Sequence, residues 1–237
     1  MKIVCIGGGP GGLYFAISMK LRNPAYEITV VEQNKPHDTF GWGIVFSDQT
    51  LENLQLNDPE SAETIRKSFA YWDDIDVHIH GKVIRSGGHG FIGIGRLRLI
   101  TILQERAAEL GIKQVFETQV ENSDNYENYD LVVASDGINS KIRTQHAAHF
   151  QPDIDLRRNK FIWLGTHKLF EAFTFIFIKT EHGWIWAHAY RFADDLSTFI
   201  VECEPETWNA LGFEDMSKEE AIGFLESLFA DYLDANP

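Results

Sequence analysis

Cysteine is scarce: the 237 residues include only Cys5 and Cys203. That excludes a disulfide-framed secreted domain and the zinc motifs built on paired cysteines, and no metal site is expected. Each cysteine lies in an apolar stretch and reads as a small buried side chain. Positive charge is also scarce, with 21 Lys and Arg against 35 Asp and Glu and a net charge of −14. Such a surface disfavours nucleic acid and anionic membranes as partners. No apolar run approaches the ~18 residues of a membrane span. The N-terminal apolar stretch is broken by glycines and Pro10, and no cleavage pattern follows, so it does not read as a signal peptide. A cytoplasmic enzyme is the expectation, with its oligomeric state left open.

What is present is globular. Hydrophobic residues make up 44% and charged residues 24%, enough for a large core. The first part of the chain alternates strand and helix patterns. Strands are expected at Lys2–Ile6, Glu27–Val31, Ile112–Glu117 and Asp130–Ser135. Helices are expected at Gly11–Lys20, at Asp48–Leu56 behind a Ser47 cap, at Arg96–Leu110 stopped by Gly111, and at Asn139–Gln145. Asp76–His80 and Lys82–Arg85 read as a hairpin around Gly81, and the glycine-dense stretch Gly87–Gly95 as a mobile loop. From Lys160 the strands follow one another: Phe161–His167, Phe173–Lys179, Trp184–Tyr190 and Ser197–Glu202. A helix over Ser217–Tyr232 carries a capping box at Ser217 and Glu220. The change of pattern implies two domains, residues 1–148 and 149–237, with the 71–95 segment reaching the second sheet.

The strongest motif is Gly7-x-Gly9-x-x-Gly12 between a strand and a helix. Glycines allow a tight turn and close backbone approach, and the helix start offers free N–H groups to a pyrophosphate. Glu32 follows Gly12 by twenty residues, at the end of the second strand, where a carboxylate can accept from ribose hydroxyls. It would repel a 2′-phosphate, so the site suits FAD or NAD rather than NADP. Arg96, taken alone, reads as solvated charge opening a helix, and Asp136-Gly137 as a turn signal.

In the second domain, period-2 reading puts Phe161, Trp163, Phe173, Phe175, Phe177, Trp184, Trp186, His188 and Tyr190 on one face. Ile162, Leu164, Ile176, Ile178, Ala187 and Ala189 fall on the other. Two apolar faces imply a sheet covered on both sides. The aromatic face is either plain core or the roof of a site for a flat ring. His188 and Tyr190 carry polar tips on it and are the candidate catalytic residues, with structural roles as the alternative. Arg157, Arg158 and Lys160 form a basic cluster near this sheet, open to phosphates or to solvent.

Together the glycine fingerprint, the helix-opening Arg96 and the Asp136-Gly137 turn followed by Ser140 and Arg143 resemble the p-hydroxybenzoate hydroxylase-type flavoprotein monooxygenases. Phe40–Asp48, Trp72–His78 and Ser86–Phe91 resemble the salicylyl-CoA 5-hydroxylase and 2-aminobenzoyl-CoA monooxygenase group. Asn159–Thr166, Ala187–Tyr190 and Ser197–Cys203 also resemble a hydroxylase of tryptophan derivatives. The resemblance implies an α/β fold: a three-layer, Rossmann-like FAD domain beside an antiparallel substrate sheet. It implies FAD held by Gly7, Gly9, Gly12, Glu32, Gly43, Ile44, Arg96, Val120, Asp136 and Gly137, with NADH or NADPH as reductant. The implied reaction is hydroxylation by O2 of an electron-rich aromatic ring, presented as a CoA thioester; the alternatives are a free indole compound as substrate or a nucleotide-binding piece without turnover. The family's Gly-Asp flavin motif is not found after Tyr190. The chain is therefore expected to be the N-terminal part of a longer protein, holding FAD weakly by itself.

Overall fold

The computed structural model describes residues 1–237. In chain order the elements are β1 (Lys2–Ile6), α1 (Pro10–Arg22), β2 (Glu27–Val31), β3 (Gly43–Ser47), α2 (Asp48–Asn57), α3 (Pro59–Arg66) and β4 (Ala70–Trp72). Next come β5 (Ile75–Ile79), β6 (Lys82–Ser86), β7 (Phe91–Gly95), α4 (Arg96–Glu109), β8 (Lys113–Val115), β9 (Leu131–Ala134), α5 (Lys141–Gln145) and α6 (Ala147–Phe150). The chain closes with β10 (Lys160–Thr166), β11 (Phe173–Thr180), β12 (Gly183–Arg191), β13 (Ser197–Cys203), α7 (Pro205–Ala210), α8 (Lys218–Leu228) and α9 (Ala230–Leu233). No helix is long and apolar enough to cross a membrane. Two compact units form, each discontinuous in sequence. The first takes 1–40, 51–67 and 96–155; the second takes 41–50, 68–95 and 156–237.

The first unit is built on a parallel sheet in the order β8-β2-β1-β9. Ile3, Val4, Cys5 and Ile6 of β1 are buried, as a strand covered on both faces requires. Burial pushes the Cys5 thiol up to about 12, so it serves as packing. Leu13, Ala16 and Ile17 form the buried stripe of α1, and Leu99, Ile100, Ile102, Leu103 and Ala107 that of α4. Gly111, at φ +74°, supplies the left-handed residue that ends α4. A buried carboxylate, Asp58, joins α3 to α4 through a two-pronged bond from Arg106, with both distances 3.0 Å. In this order the connection out of β1 runs to β2 on one side, while β9 on its other side is reached by a crossover from β8. The C-terminal end of β1 is thus a topological switch point, where open α/β sheets bind their ligands.

The second unit holds two sheets. Six strands run in the order β10-β13-β12-β11-β5-β6, antiparallel except for β5, which lies parallel to β11. The β5–β6 hairpin turns through His80 (φ 51°) and Gly81 (φ 70°), two left-handed residues that match the twist of paired strands. The smaller sheet, β3-β7-β4, corrects the expected mobile loop, because Phe91–Gly95 is its central strand. Glycine is there for close packing: a Cβ on Gly93 would stand 2.3 Å from the Arg191 carbonyl oxygen. The Ser217 capping box forms as expected, but the long C-terminal helix breaks at Phe229, a fully buried ring.

The expectation of a sheet covered on both sides needs correction. One face packs Ile176, Ile185, Ala187, Ala189, Phe199 and Val201 against α7, α8 and α9. On the aromatic face Phe161 is 63% exposed, and Phe175, Phe177, Trp186 and His188 are half-buried. Its rings shield one another as cross-strand stacks, Phe177 on Trp186 and Phe175 on His188, while Trp72 and Phe91 of the smaller sheet cover Tyr190 and Phe173.

Candidate functional site

The glycine loop leaves β1 at its switch point. Gly7 adopts φ +105°, and a Cβ there would lie 2.2 Å from the Ser135 carbonyl oxygen. A Cβ on Gly12 would lie 2.1 Å from the Gly7 carbonyl oxygen. Both glycines are thus required by the chain's own close approach. Gly9 differs: nothing lies within 4 Å of the position its Cβ would take. Gly9 is also the N-cap of α1, where no side chain caps the helix, Pro10 follows and no acid stands in the first turn. The loop therefore presents open space in front of uncapped helix N–H groups, the requirement for close approach of a phosphate. The residues present fit the adenosine-diphosphate half of FAD.

Glu32 is brought to this loop by β2. One carboxylate oxygen accepts from Gly8 N–H at 2.6 Å, and the other from the backbone and side-chain N–H groups of Asn34 at 2.8 and 2.7 Å. Glu32 thus clamps the loop, a task sequence reading missed. A carboxylate has about four acceptor sites, and three are occupied here. Asp136 and Gly137 follow β9 and lie beside Gly7. Asp136 accepts from Ser140 Oγ at 2.6 Å and from the Lys141 N–H at 2.8 Å, so its carboxylate caps α5. Ser135 Oγ donates toward the carbonyls of Ile6 and Gly7, which locks β9 to the turn. Val120 packs beside Val4, Ile6, Val31 and Ile142. Arg96 opens α4, and its Nε donates to Thr39 Oγ1 at 2.9 Å. Gly7, Gly8, Glu32, Ser135 and Asp136 are directly brought together; the bonds above leave Arg96 held by Thr39.

In the second unit Gly43 opens β3. Its N–H donates to Thr198 Oγ1 at 3.0 Å, and its carbonyl accepts from the Tyr190 hydroxyl at 2.7 Å. A Cβ on Gly43 would lie 2.5 Å from Phe192. Ile44 pairs with Ile94 of β7. Tyr190, 6% exposed, stacks on Phe173 and Trp72 with ring centroids 5.3 and 6.0 Å away, and burial pushes its hydroxyl pKa up. Its polar tip is committed to holding the Gly43 segment. His188 stacks on Phe175, and burial pushes its pKa below the usual imidazole value, against the pull of the Glu202 charge. Its Nε2 is buried without a hydrogen-bond partner, 3.8 Å from Glu202 Oε2. Glu202 went unnoticed in the sequence because its neighbours on the face are set by cross-strand register.

No protein-family model matches the chain. It is 42% identical over 245 aligned residues to a salicyloyl-CoA 5-hydroxylase from a Streptomyces species, covering 100% of this chain and 47% of that protein. It is 33% identical to the protodeoxyviolaceinate monooxygenase of Chromobacterium violaceum, covering 97% of this chain and 62% of that one. The chain thus spans about half the length of these relatives. Among solved structures, 2-methyl-3-hydroxypyridine-5-carboxylic acid oxygenase superposes with a TM-score of 0.80 at 17% identity, over 97% of this chain and 64% of that one, and shares its fold. Glycine cradle, mixed second sheet and relatives agree: the chain resembles in sequence the matching part of these two monooxygenases and shares the fold of the pyridine-ring oxygenase.

Proposed function

We propose that this chain is the flavin- and ring-binding part of an enzyme that hydroxylates an electron-rich aromatic ring carried as a CoA thioester, using NADH or NADPH and O2. The observation that carries the flavin assignment is Gly9, a glycine facing open space between two that face the chain itself. We assign the phosphates to Gly9 and the α1 N-terminus, the adenosine ribose to Glu32, the adenine to the Val120 backbone, and the rest of the cofactor to Arg96, Asp136 and Gly137. Bound FAD would supply the redox chemistry, passing electrons from the nicotinamide to O2 for insertion into the ring. The chain's own part is position and dryness. The ladder of Phe175, Phe177, Trp186 and His188 offers a flat apolar surface to a ring. The thioester reading rests on the identity to salicyloyl-CoA 5-hydroxylase; a free indole-derived substrate is the second reading, favoured by the likeness to protodeoxyviolaceinate monooxygenase.

The test is oxidation of NADH and NADPH by the FAD-loaded protein with salicyloyl-CoA, 2-aminobenzoyl-CoA, salicylate or indole-3-pyruvate, with product analysis. Thioester-stimulated oxidation with a hydroxylated ring supports the proposal. Stimulation by the free acid or the indole alone would overturn the thioester assignment, and no stimulation by any while FAD stays bound would overturn the enzyme assignment.

A further inference from the structure

Register places a carboxylate in the aromatic ladder. Glu202 of β13 pairs with Trp186 of β12 on one side and with Phe161 of β10 on the other. A charged group among rings is costly unless it is bonded. One oxygen is: Oε1 accepts from Asn159 Nδ2 at 2.8 Å. Oε2 faces His188 Nε2 at 3.8 Å, within ion-pair range but beyond a hydrogen bond. Each of the two side chains keeps 27% of its surface exposed. The imidazole Nε2 is buried without a hydrogen-bond partner.

A carboxylate on one side of an imidazole selects the tautomer with its proton on that side, and leaves the far nitrogen as an acceptor. Asn159 anchors Glu202, and Glu202 stands beside the Nε2 side of His188, which register places on the aromatic face. Catalytic hydrogen bonds are often long in a ligand-free site and tighten on binding, so 3.8 Å is compatible with this role. We propose that Glu202 is a positioning residue that fixes His188 as the Nε2–H tautomer, so that Nδ1 recognises and deprotonates a hydroxyl on the substrate ring. The proposal rests on the ring-binding reading of this face. In the step, the ring O–H bond breaks and an Nδ1–H bond forms. The electron pair stays on the ring oxygen and raises electron density at the carbons ortho and para to it, while the imidazolium sits beside Glu202. Burial keeps His188 neutral and ready to accept. The substrate class is therefore a ring with a free hydroxyl, and an O-alkylated analogue should fail to engage His188.

The test is 15N NMR of the 237-residue chain with labelled histidine imidazoles, the His188 signals being identified by their loss in His188→Gln. The expected wild-type spectrum shows a protonated Nε2 and a pyridine-type Nδ1. Glu202→Leu, which removes the acceptor but keeps apolar contact with Trp186 and Phe161, should yield a tautomer mixture. Asn159→Ala, at an exposed position, should move His188 in the same direction should Glu202→Leu not fold. Addition of 2-hydroxybenzamide should shift Nδ1 strongly, and 2-methoxybenzamide should not. A wild-type proton on Nδ1, a tautomer indifferent to the variants, or equal or absent responses to the two amides would overturn the proposal. FAD titration of the same samples separates the two readings: wild type that does not bind FAD sinks the flavin assignment and leaves the His188 result standing.

Discussion

Replacing Gly7, Gly9 and Gly12 singly by alanine should separate the glycines that serve the fold from the one that serves the ligand. At Gly7 the residue would sit at φ +105°, a conformation costing an L side chain roughly 1–3 kcal/mol. Its Cβ would also meet backbone atoms of Ser135, the nearest at 2.2 Å, which cannot rotate away. At Gly12 the Cβ would press on the Gly7 carbonyl at 2.1 Å and on Ser135 Oγ at 2.5 Å, an overpacking penalty of about 1–3 kcal/mol. For a chain of this length each kcal/mol moves the melting temperature by roughly 2–4 °C, so both variants should melt several degrees early.

Gly9→Ala is expected to behave otherwise. The backbone there has φ −70° and ψ 177°, open to any residue, and the Cβ touches nothing. Two small terms oppose each other. Alanine restricts the unfolded chain, worth about 0.4–1 kcal/mol, and is a poorer helix N-cap than glycine, losing roughly as much. Net stability should stay within about 1 kcal/mol of wild type, while the Cβ fills the space through which a pyrophosphate reaches the helix N–H groups. Thermal melts beside calorimetric titration with FAD, and with ADP as the probe of this half of the cofactor, make the comparison. The expected pattern is a normal melt with more than tenfold weaker binding for Gly9→Ala. Equal affinity for Gly9→Ala and wild type would refute the cradle, and a melt as low as that of Gly7→Ala would refute the assignment of open space.

Other outcomes can be checked on the same protein. Glu32→Ala should weaken FAD binding by about 1.5–3 kcal/mol, the scale of a hydrogen bond to a charged group, and should also lower the melt because Gly8 and Asn34 lose their acceptor; unchanged FAD affinity would remove Glu32 from the site. Arg85 bonds both oxygens of Asp76 and holds that carboxyl below the usual carboxylate range, so the pair stabilises the second unit above the unfolded carboxyl pKa of ~3.9 and stops doing so as pH falls through the lower folded value. With the Arg85 side chain 57% exposed the contribution is small, and an Asp76→Asn melt that lags wild type equally at pH 7 and at pH 2 would show the pair is not its source. The 237-residue chain should release FAD on desalting, since the Gly-Asp flavin motif that the sequence resemblance implies is not found after Tyr190; a yellow chain retaining one FAD per molecule would contradict this.

Local rules made the first unit legible. The strand before Gly7, the helix after it and the acid at Glu32 each follow from composition and period within a few residues, and the structure places them on adjacent strands. What stayed hidden was set by contacts between distant segments. Gly87–Gly95 read as a loop because glycine density is the turn signal, yet Gly93 is a strand residue whose missing side chain makes room for Arg191 and Trp72. Tyr190 could be seen to need a partner, but not that the partner is a carbonyl at Gly43, 147 positions away. Alternation puts the aromatics of one strand on one face, but the register between strands decides which polar group stands among them. Asn159, Glu202 and His188 lie in three separate stretches and carry no motif. Only the pairing of β10 and β12 on either side of β13 aligns them, which is why a loose histidine in the sequence becomes, in the fold, one with a carboxylate beside its Nε2.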